Sequence, residues 1–186
     1  MQWTNGANEF LDALSSAEPT PGGGSAAAMA GAMGCALVLM AAQTTLKRKG
    51  TPTENQEKLQ TSIKKLNEWY TQLKTAIEKD ARAYQAFIAA RKLPKEDPTR
   101  SQAMQEALWG AAQVPAQTAT VCQQVQKEIS LIEKWIDKII ISDVICARHL
   151  LRCALDCCAE NIRANAAYIT QTDRVEKLQK LVQSLS

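Results

Sequence analysis

Two aspartates stand where a helix would sooner carry an apolar side chain. Leu59, Ile63, Leu66, Tyr70, Leu73, Ile77, Asp80, Tyr84 and Phe87 recur at intervals of four and three, the spacing of one helix face. Asp80 occupies a core-facing place in that seam. A carboxylate there is costly unless it is paired or hydrogen-bonded, so Asp80 either has a structural partner or lines a cleft. Asp143, with Ser142 beside it, interrupts the run from Ile139 to Ala147, which is otherwise apolar nearly all round. Burial raises the pKa of a carboxyl, and a raised carboxyl can shuttle protons. Asn161 and Asn165, one helical turn apart, each offer hydrogen-bond donors and an acceptor. Asp143 and Asn161 are eighteen residues apart, which is five full turns. They share a face but lie about 27 Å apart along a straight helix. One ligand can meet both only where the helix pairs antiparallel with a second copy of itself. In the plainer alternative, Asp143 caps locally and the asparagines bond to neighbouring helices.

The third candidate is a backbone site. Pro19-Thr20-Pro21-Gly22-Gly23-Gly24-Ser25 cannot continue a helix, and the residues from Ser25 to Ala42 carry no charge. That pattern predicts a tight loop delivering the N-terminus of a buried helix. Glycine permits close backbone approach and positive φ. The first turn of a helix presents unpaired N–H groups and the positive end of its dipole, so the loop is a candidate anion site. The same residues also read as a plain turn with Ser25 as N-cap. No Gly-Lys-Ser/Thr follows at the spacing of a nucleotide phosphate loop.

The elements that must position these groups all read as helices. The patterns place them at 3–17, with Phe10, Leu11 and Leu14 on the apolar side, then at 25–46 and 54–92. Further helices fall at 99–114, 116–134, 138–169 and 172–186. Pro115 starts or kinks the fifth of these segments. In the last segment Val175, Leu178, Val182 and Leu185 face inward. No alternating strand pattern appears. The expectation is an all-α, single-domain bundle over 1–186, of about six helices with two long central ones, 54–92 and 138–169.

Composition narrows the class. A 186-residue chain that is 46% hydrophobic can build one sizeable core. A net charge of +3 gives no argument for nucleic acid. Ser25–Ala42 is about long enough to span a bilayer, but its Ala and Gly content favours a core helix, so no membrane role is expected. Small residues four apart, Ala27/Gly31 and Ala30/Gly34, suit close helix packing. Six cysteines and one histidine, with no Cys-x-x-Cys, argue against a zinc site. Reduced core thiols in a cytoplasmic protein are the simplest account. His149, between Arg148 and Arg152, is not favoured as a catalyst.

Taken in order, several of these pieces resemble the formiminotransferase-cyclodeaminase C-terminal domain family, which includes free-standing methenyltetrahydrofolate cyclohydrolases. The resemblance rests on Phe10-Leu11-Asp12-Ala13-Leu14 followed by Pro19 to Ala28. It continues through Asp80-Ala81-Arg82-Ala83-Tyr84, Leu93-Pro94-Lys95, Val114-Pro115, Ser142-Asp143, Asn161 and Asn165. Ile136 and Asp137 stand where the family usually has Gly-Asn, and Lys47 follows Thr45-Leu46 where it often has Gly. What the resemblance implies is a folate one-carbon enzyme, acting as a homodimer that shares its sites, without metal or cofactor. The reaction would be formation of 5,10-methenyltetrahydrofolate and ammonia from the 5-formimino compound, or hydrolysis of the methenyl bridge. Asp80 and Asp143 would be the catalytic pair. Gly22, Gly23, Gly24, Ser25, Tyr84, Lys95, Ser142, Asn161 and Asn165 would bind the folate. The Lys47-Arg48-Lys49 cluster would meet further glutamates or simply close a helix end. The rival reading is a non-catalytic folate-binding or interaction module that keeps the helical fold.

Overall fold

The structure is a computed structural model that describes residues 4–185. Six α-helices follow one another: α1 (Thr4–Ser15), α2 (Gly23–Leu46), α3 (Thr53–Arg91), α4 (Arg100–Ile132), α5 (Ile141–Ala166) and α6 (Thr172–Gln183). No strand occurs among the described residues. Met1–Trp3 and Ser186, at the ends of the expected first and last helices, lie outside them.

α2 is the axis of the bundle. It packs on α3 along one side and α5 along another, while α4 bridges α3 and α5. Its length and apolarity would suffice to cross a membrane, yet most of it is buried by its neighbours. Its small residues explain how three helices crowd round it. A Cβ on Gly31 would stand 2.8 Å from Cys122 Sγ and 3.2 Å from a Leu73 methyl. One on Gly34 would stand 2.9 Å from Leu151 Cγ and 3.1 Å from the Ala147 carbonyl oxygen. The two glycines therefore serve different faces, α3/α4 and α5, rather than a single smooth one. Cys35, Cys122 and Cys158 pack in this core, and burial pushes the Cys35 and Cys122 thiols up to about 12. Cys146 and Cys153 are exposed, contrary to the expectation of core thiols throughout. They lie on the outer face of α5 rather than in the interior.

Apart from small shifts at the ends of α1, α2, α3 and α6, three boundaries differ from the sequence expectation. The segments 99–114 and 116–134 are one helix, α4, that runs through Pro115. A proline removes one ladder hydrogen bond. Here buried contacts on both sides of the ring, Ala112 and Ala116 among them, hold the helix together. The helix expected from residue 138 begins only at Ile141, because residues 133–135 and 138–140 form two short 3₁₀ turns. Asp137 organises that stretch. Its carboxylate accepts from the Ile139 N–H at 2.8 Å, its N–H donates to Thr45 Oγ1 at 3.0 Å, and it pairs with Arg48 at 2.9 Å. Asp137 is thereby tied to Thr45 and Arg48, the residues on either side of Leu46-Lys47 at the C-terminal end of α2. α5 also stops at Ala166, short of residue 169.

The burial pattern corrects two further expectations. The run from Ile139 to Ala147 is not enclosed within the chain. Ile139 is 74% and Ile145 51% exposed, and only Val144 and Ala147 are buried. α1 buries none of its residues fully; of the apolar side formed by Phe10, Leu11 and Leu14, Leu11 is exposed and the other two are half-buried. α6 behaves as expected, with Leu178, Val182 and Leu185 buried and Val175 packed against the core.

Candidate active site

Four parts of the bundle converge on a cleft of ≈ 570 Å³. The loop before α2 and its first turn provide Pro19, Thr20, Gly22, Gly23 and Gly24; the second half of α3 provides Asp80, Tyr84, Phe87 and Arg91. Leu108 and Ala111 of α4 form an apolar wall, and the end of α5 adds Asn161, Ala164, Asn165 and Tyr168. The volume is of the size that holds a small organic ligand.

The α3 seam explains the cleft. Its first half, Leu59, Leu66 and Leu73, is fully buried against α2 and α4. Beyond Ala76 the same face emerges from the core, and Asp80, Tyr84 and Phe87 become a wall. Asp80 is therefore neither a core ion pair nor a surface charge. It lies over the N-terminus of α2, against Ser25. Ser25 is fully buried, and its Oγ stands 2.9 Å from the Ile77 carbonyl oxygen and 3.1 Å from Asp80 Oδ2. A hydroxyl has one hydrogen to give. When Ser25 gives it to Ile77, a bond to Asp80 requires the proton to be on the carboxyl. Burial pushes the Asp80 carboxyl above its ordinary range, while the Ser25 hydroxyl and amide pull it down less strongly. A carboxyl so placed holds a proton more readily than one in water and can return it to a neighbour.

The glycines act here through the space they leave. A Cβ on Gly24 would stand 2.1 Å from Asp80 Oδ1 and 2.5 Å from its Cγ. A Cβ on Gly23 would stand 3.1 Å from Asn161 Nδ2. No glycine among the described residues has a positive φ, so backbone conformation is not the reason for them. The helix start does attract an anion, and the nearest one is the chain's own Asp80.

On the opposite wall, Asn161 Nδ2 donates to the Cys157 carbonyl at 2.8 Å and Asn165 Nδ2 to the Asn161 carbonyl at 2.9 Å. Each bond uses one amide hydrogen. Their Oδ1 atoms accept from no group among the described residues, which leaves two acceptors and two further N–H groups facing the cleft. The alternative in which the asparagines bond to neighbouring helices is not what the structure shows; they bond back along α5.

Of the residues singled out in the sequence, Gly22, Gly23, Gly24, Asp80, Tyr84, Asn161 and Asn165 line this cleft, with Ser25 directly beneath Asp80. Lys95 does not; it is exposed in the turn after α3. Ser142 and Asp143 do not either. They lie in the first turn of α5, about 27 Å from Asn161 along the helix. Ser142 is exposed and Asp143 partly so. The sequence reading missed Arg91 and Tyr168, though their spacing carried a signal. Asp80, Tyr84, Phe87 and Arg91 follow at four, three and four, and Asn161, Asn165 and Tyr168 at four and three. No group of three or more metal-ligating side chains occurs among the described residues.

Comparison with known proteins gives one answer. A family model described as formiminotransferase-cyclodeaminase matches residues 6–184. The methenyltetrahydrofolate cyclohydrolase of Methylorubrum extorquens is 35% identical over 161 residues, covering 84% of this chain and 77% of that one. The formimidoyltransferase-cyclodeaminase of Rattus norvegicus is 28% identical over 184 residues, 95% of this chain. There the match spans only 33% of the relative's length. The crystal structure of formiminotetrahydrofolate cyclodeaminase from Thermotoga maritima superposes with a TM-score of 0.86 at 25% identity, covering 96% of this chain and 86% of that one.

Proposed function

The chain belongs to the formiminotransferase-cyclodeaminase family, and from that premise we propose that it is a folate one-carbon enzyme acting on the bridge between N5 and N10. The observation that carries this reading is Asp80. It is a carboxyl of raised proton affinity, fixed against Ser25 at the floor of a cleft whose far wall offers two free amide acceptors. The amides of Asn161 and Asn165 match the donor and acceptor edge of a pterin. Tyr84 and Phe87 give the benzoyl ring an apolar side.

Methenyltetrahydrofolate cyclohydrolase is the first reading, since the 35% identical relative bears that name and the match spans most of its length. Water adds to the cationic methenyl carbon, and Asp80 takes a proton from the attacking water. The tetrahedral carbon then expels N5, which receives a proton, and 10-formyltetrahydrofolate leaves with net release of one proton. Formiminotetrahydrofolate cyclodeaminase is the second, supported by the solved structure of that name. N10 attacks the formimino carbon, and protonated Asp80 gives its proton to the departing ammonia. The same carboxyl serves both reactions because both pass through a tetrahedral carbon between N5 and N10. In this reading the folate is the substrate and no metal or cofactor is called on. The non-catalytic alternative has less support, because a bundle without a reaction gains nothing from a desolvated carboxyl at the floor of a cleft.

The active assembly in this proposal is a homodimer of one-domain subunits in the cytoplasm. Supporting it are the exposed Leu11 on a helix α1 that buries none of its residues fully, the exposed Ile139 and Ile145, and the exposed Met33 and Met40 on the outer face of α2. A twelve-residue helix that packs on little of its own chain needs a partner to be stable. Ser142, Asp143 and Lys95 reach a folate only if they serve the partner's cleft or the mouth of their own. The test is to incubate the protein separately with 5,10-methenyl- and 5-formiminotetrahydrofolate and follow the methenyl absorbance. Its enzymatic loss from the first identifies the cyclohydrolase, and its appearance from the second the cyclodeaminase. No change above the uncatalysed rate with either removes the enzymatic reading.

A further inference from the structure

Arg91 closes the row of side chains that α3 lends to the cleft, and it forms no ion pair among the described residues. It follows Asp80 by eleven residues, which is three turns on one face and about 16 Å of helix. Tyr84 and Phe87 fill the interval. Helix side chains lean towards the N-terminus, and arginine has a long stem. The stem lets the guanidinium reach back along the cleft wall, so the two charged ends can stand closer than the ~16 Å between their backbone positions. The wall is acidic at one end, aromatic in the middle and cationic at the other.

We propose that Arg91 binds a carboxylate of the substrate's glutamate and so sets which way round the folate lies. The proposal rests on the folate reading above. In a tetrahydrofolate the one-carbon bridge is separated from the glutamate carboxylate by N10, the benzoyl ring and an amide, roughly 10 Å at ~1.4–1.5 Å per bond. With the bridge carbon at Asp80, the benzoyl ring lies along Tyr84 and Phe87 and the carboxylate arrives at Arg91. A guanidinium matches a carboxylate with two parallel hydrogen bonds. Neighbouring cations are less suited. Neither Lys92 nor Lys95 lines the cleft. Arg100 is committed to the carbonyl oxygens of Leu93 at 3.1 Å and Arg91 at 3.2 Å.

The experiment compares two ligands, a stable 5-formyltetrahydrofolate and its pteroate counterpart lacking glutamate, by calorimetry. Turnover of the corresponding methenyl substrates is measured alongside. The parent protein is expected to bind the glutamate-bearing ligand roughly 10–100-fold more tightly. Rising salt should narrow that gap, because Arg91 is exposed. Arg91→Ala should weaken the glutamate-bearing ligand far more than the pteroate, closing most of the gap, and Arg91→Lys should keep part of it. Equal affinities in the parent, or an undiminished gap in Arg91→Ala, overturn the assignment. Discrimination in binding without turnover of either substrate upholds Arg91 while removing the proposed reaction. Turnover of both with no discrimination upholds the reaction and removes Arg91.

Discussion

The sharpest test of the site is Gly24→Ala, because one methyl group is aimed at one carboxylate. The new Cβ would stand 2.1 Å from Asp80 Oδ1, 2.5 Å from Cγ and 2.8 Å from Oδ2. Unbonded atoms settle near 3.5 Å, so the carboxylate must withdraw by about 1 Å or more. The cleft gives it somewhere to go, and alanine improves on glycine within a helix by up to ~1 kcal/mol, so the variant should fold. A displacement of about 1 Å at a reacting group costs on the order of 10²-fold in rate. The expected result is a normal circular dichroism spectrum, folate affinity within a few-fold of the parent and kcat lower by about 10²-fold. If the methyl acts only through Asp80, its effect must vanish when Asp80 is already gone. Gly24→Ala in an Asp80→Ala background should leave residual turnover unchanged and the melting temperature equal to or above that of Asp80→Ala alone. Near-parental turnover in the single variant would refute the placement of Asp80 against the α2 start. A full further loss in the double variant would show that the glycine works by another route.

Asp80→Asn should lower turnover by roughly 10²–10⁴-fold, as removal of a general acid or base does. It should not destabilise the fold at neutral pH. The Asp80 carboxyl is raised in the folded protein, so the folded state binds the proton more tightly and stability falls as pH rises from the ordinary carboxylate range through the raised value. Asparagine has no such loss, so Asp80→Asn should melt at or above the parent's temperature at pH 7, the difference closing in acid; a lower melting temperature at pH 7 would count against the desolvation argument. Asn161→Ala removes one free acceptor and should weaken folate binding by about 3–10-fold by titration, the worth of a net hydrogen bond; unchanged affinity would take Asn161 out of the substrate contacts. If Asp143 serves the partner's cleft, mixing inactive Asp80→Asn and Asp143→Asn subunits restores one intact site in half of the dimers, about a quarter of parental activity. No recovery after subunit exchange, verified by mass, would confine each site to one chain.

What could be read beforehand follows from which forces act locally along the chain. The α3 seam was legible because periodicity reports directly which residues share a face, and Asp80 stood out as the one charge within it. The same rule, carried one more step, reaches Arg91, although an arginine in the last turn is equally what an ordinary helix end carries. The continuity of α4 through Pro115 was not legible, since one lost hydrogen bond weighs against packing from two neighbouring helices that local sequence does not name. Glycines ahead of a buried helix suggest room for a ligand, and here the room is taken by Asp80 and Asn161. Both readings follow from a missing side chain, and only the identity of the facing atoms separates them. The run from Ile139 to Ala147 teaches the most. Apolar composition states that a surface avoids water, but not whose atoms cover it. Within the chain, Ile139 and Ile145 remain open while Val144 and Ala147 pack inward. A stripe apolar on both sides is therefore interior on one face only, and the other face is apolar surface that the chain itself leaves open. Asp143, whose apolar neighbours suggest a buried acid, is for the same reason only partly covered by its own chain.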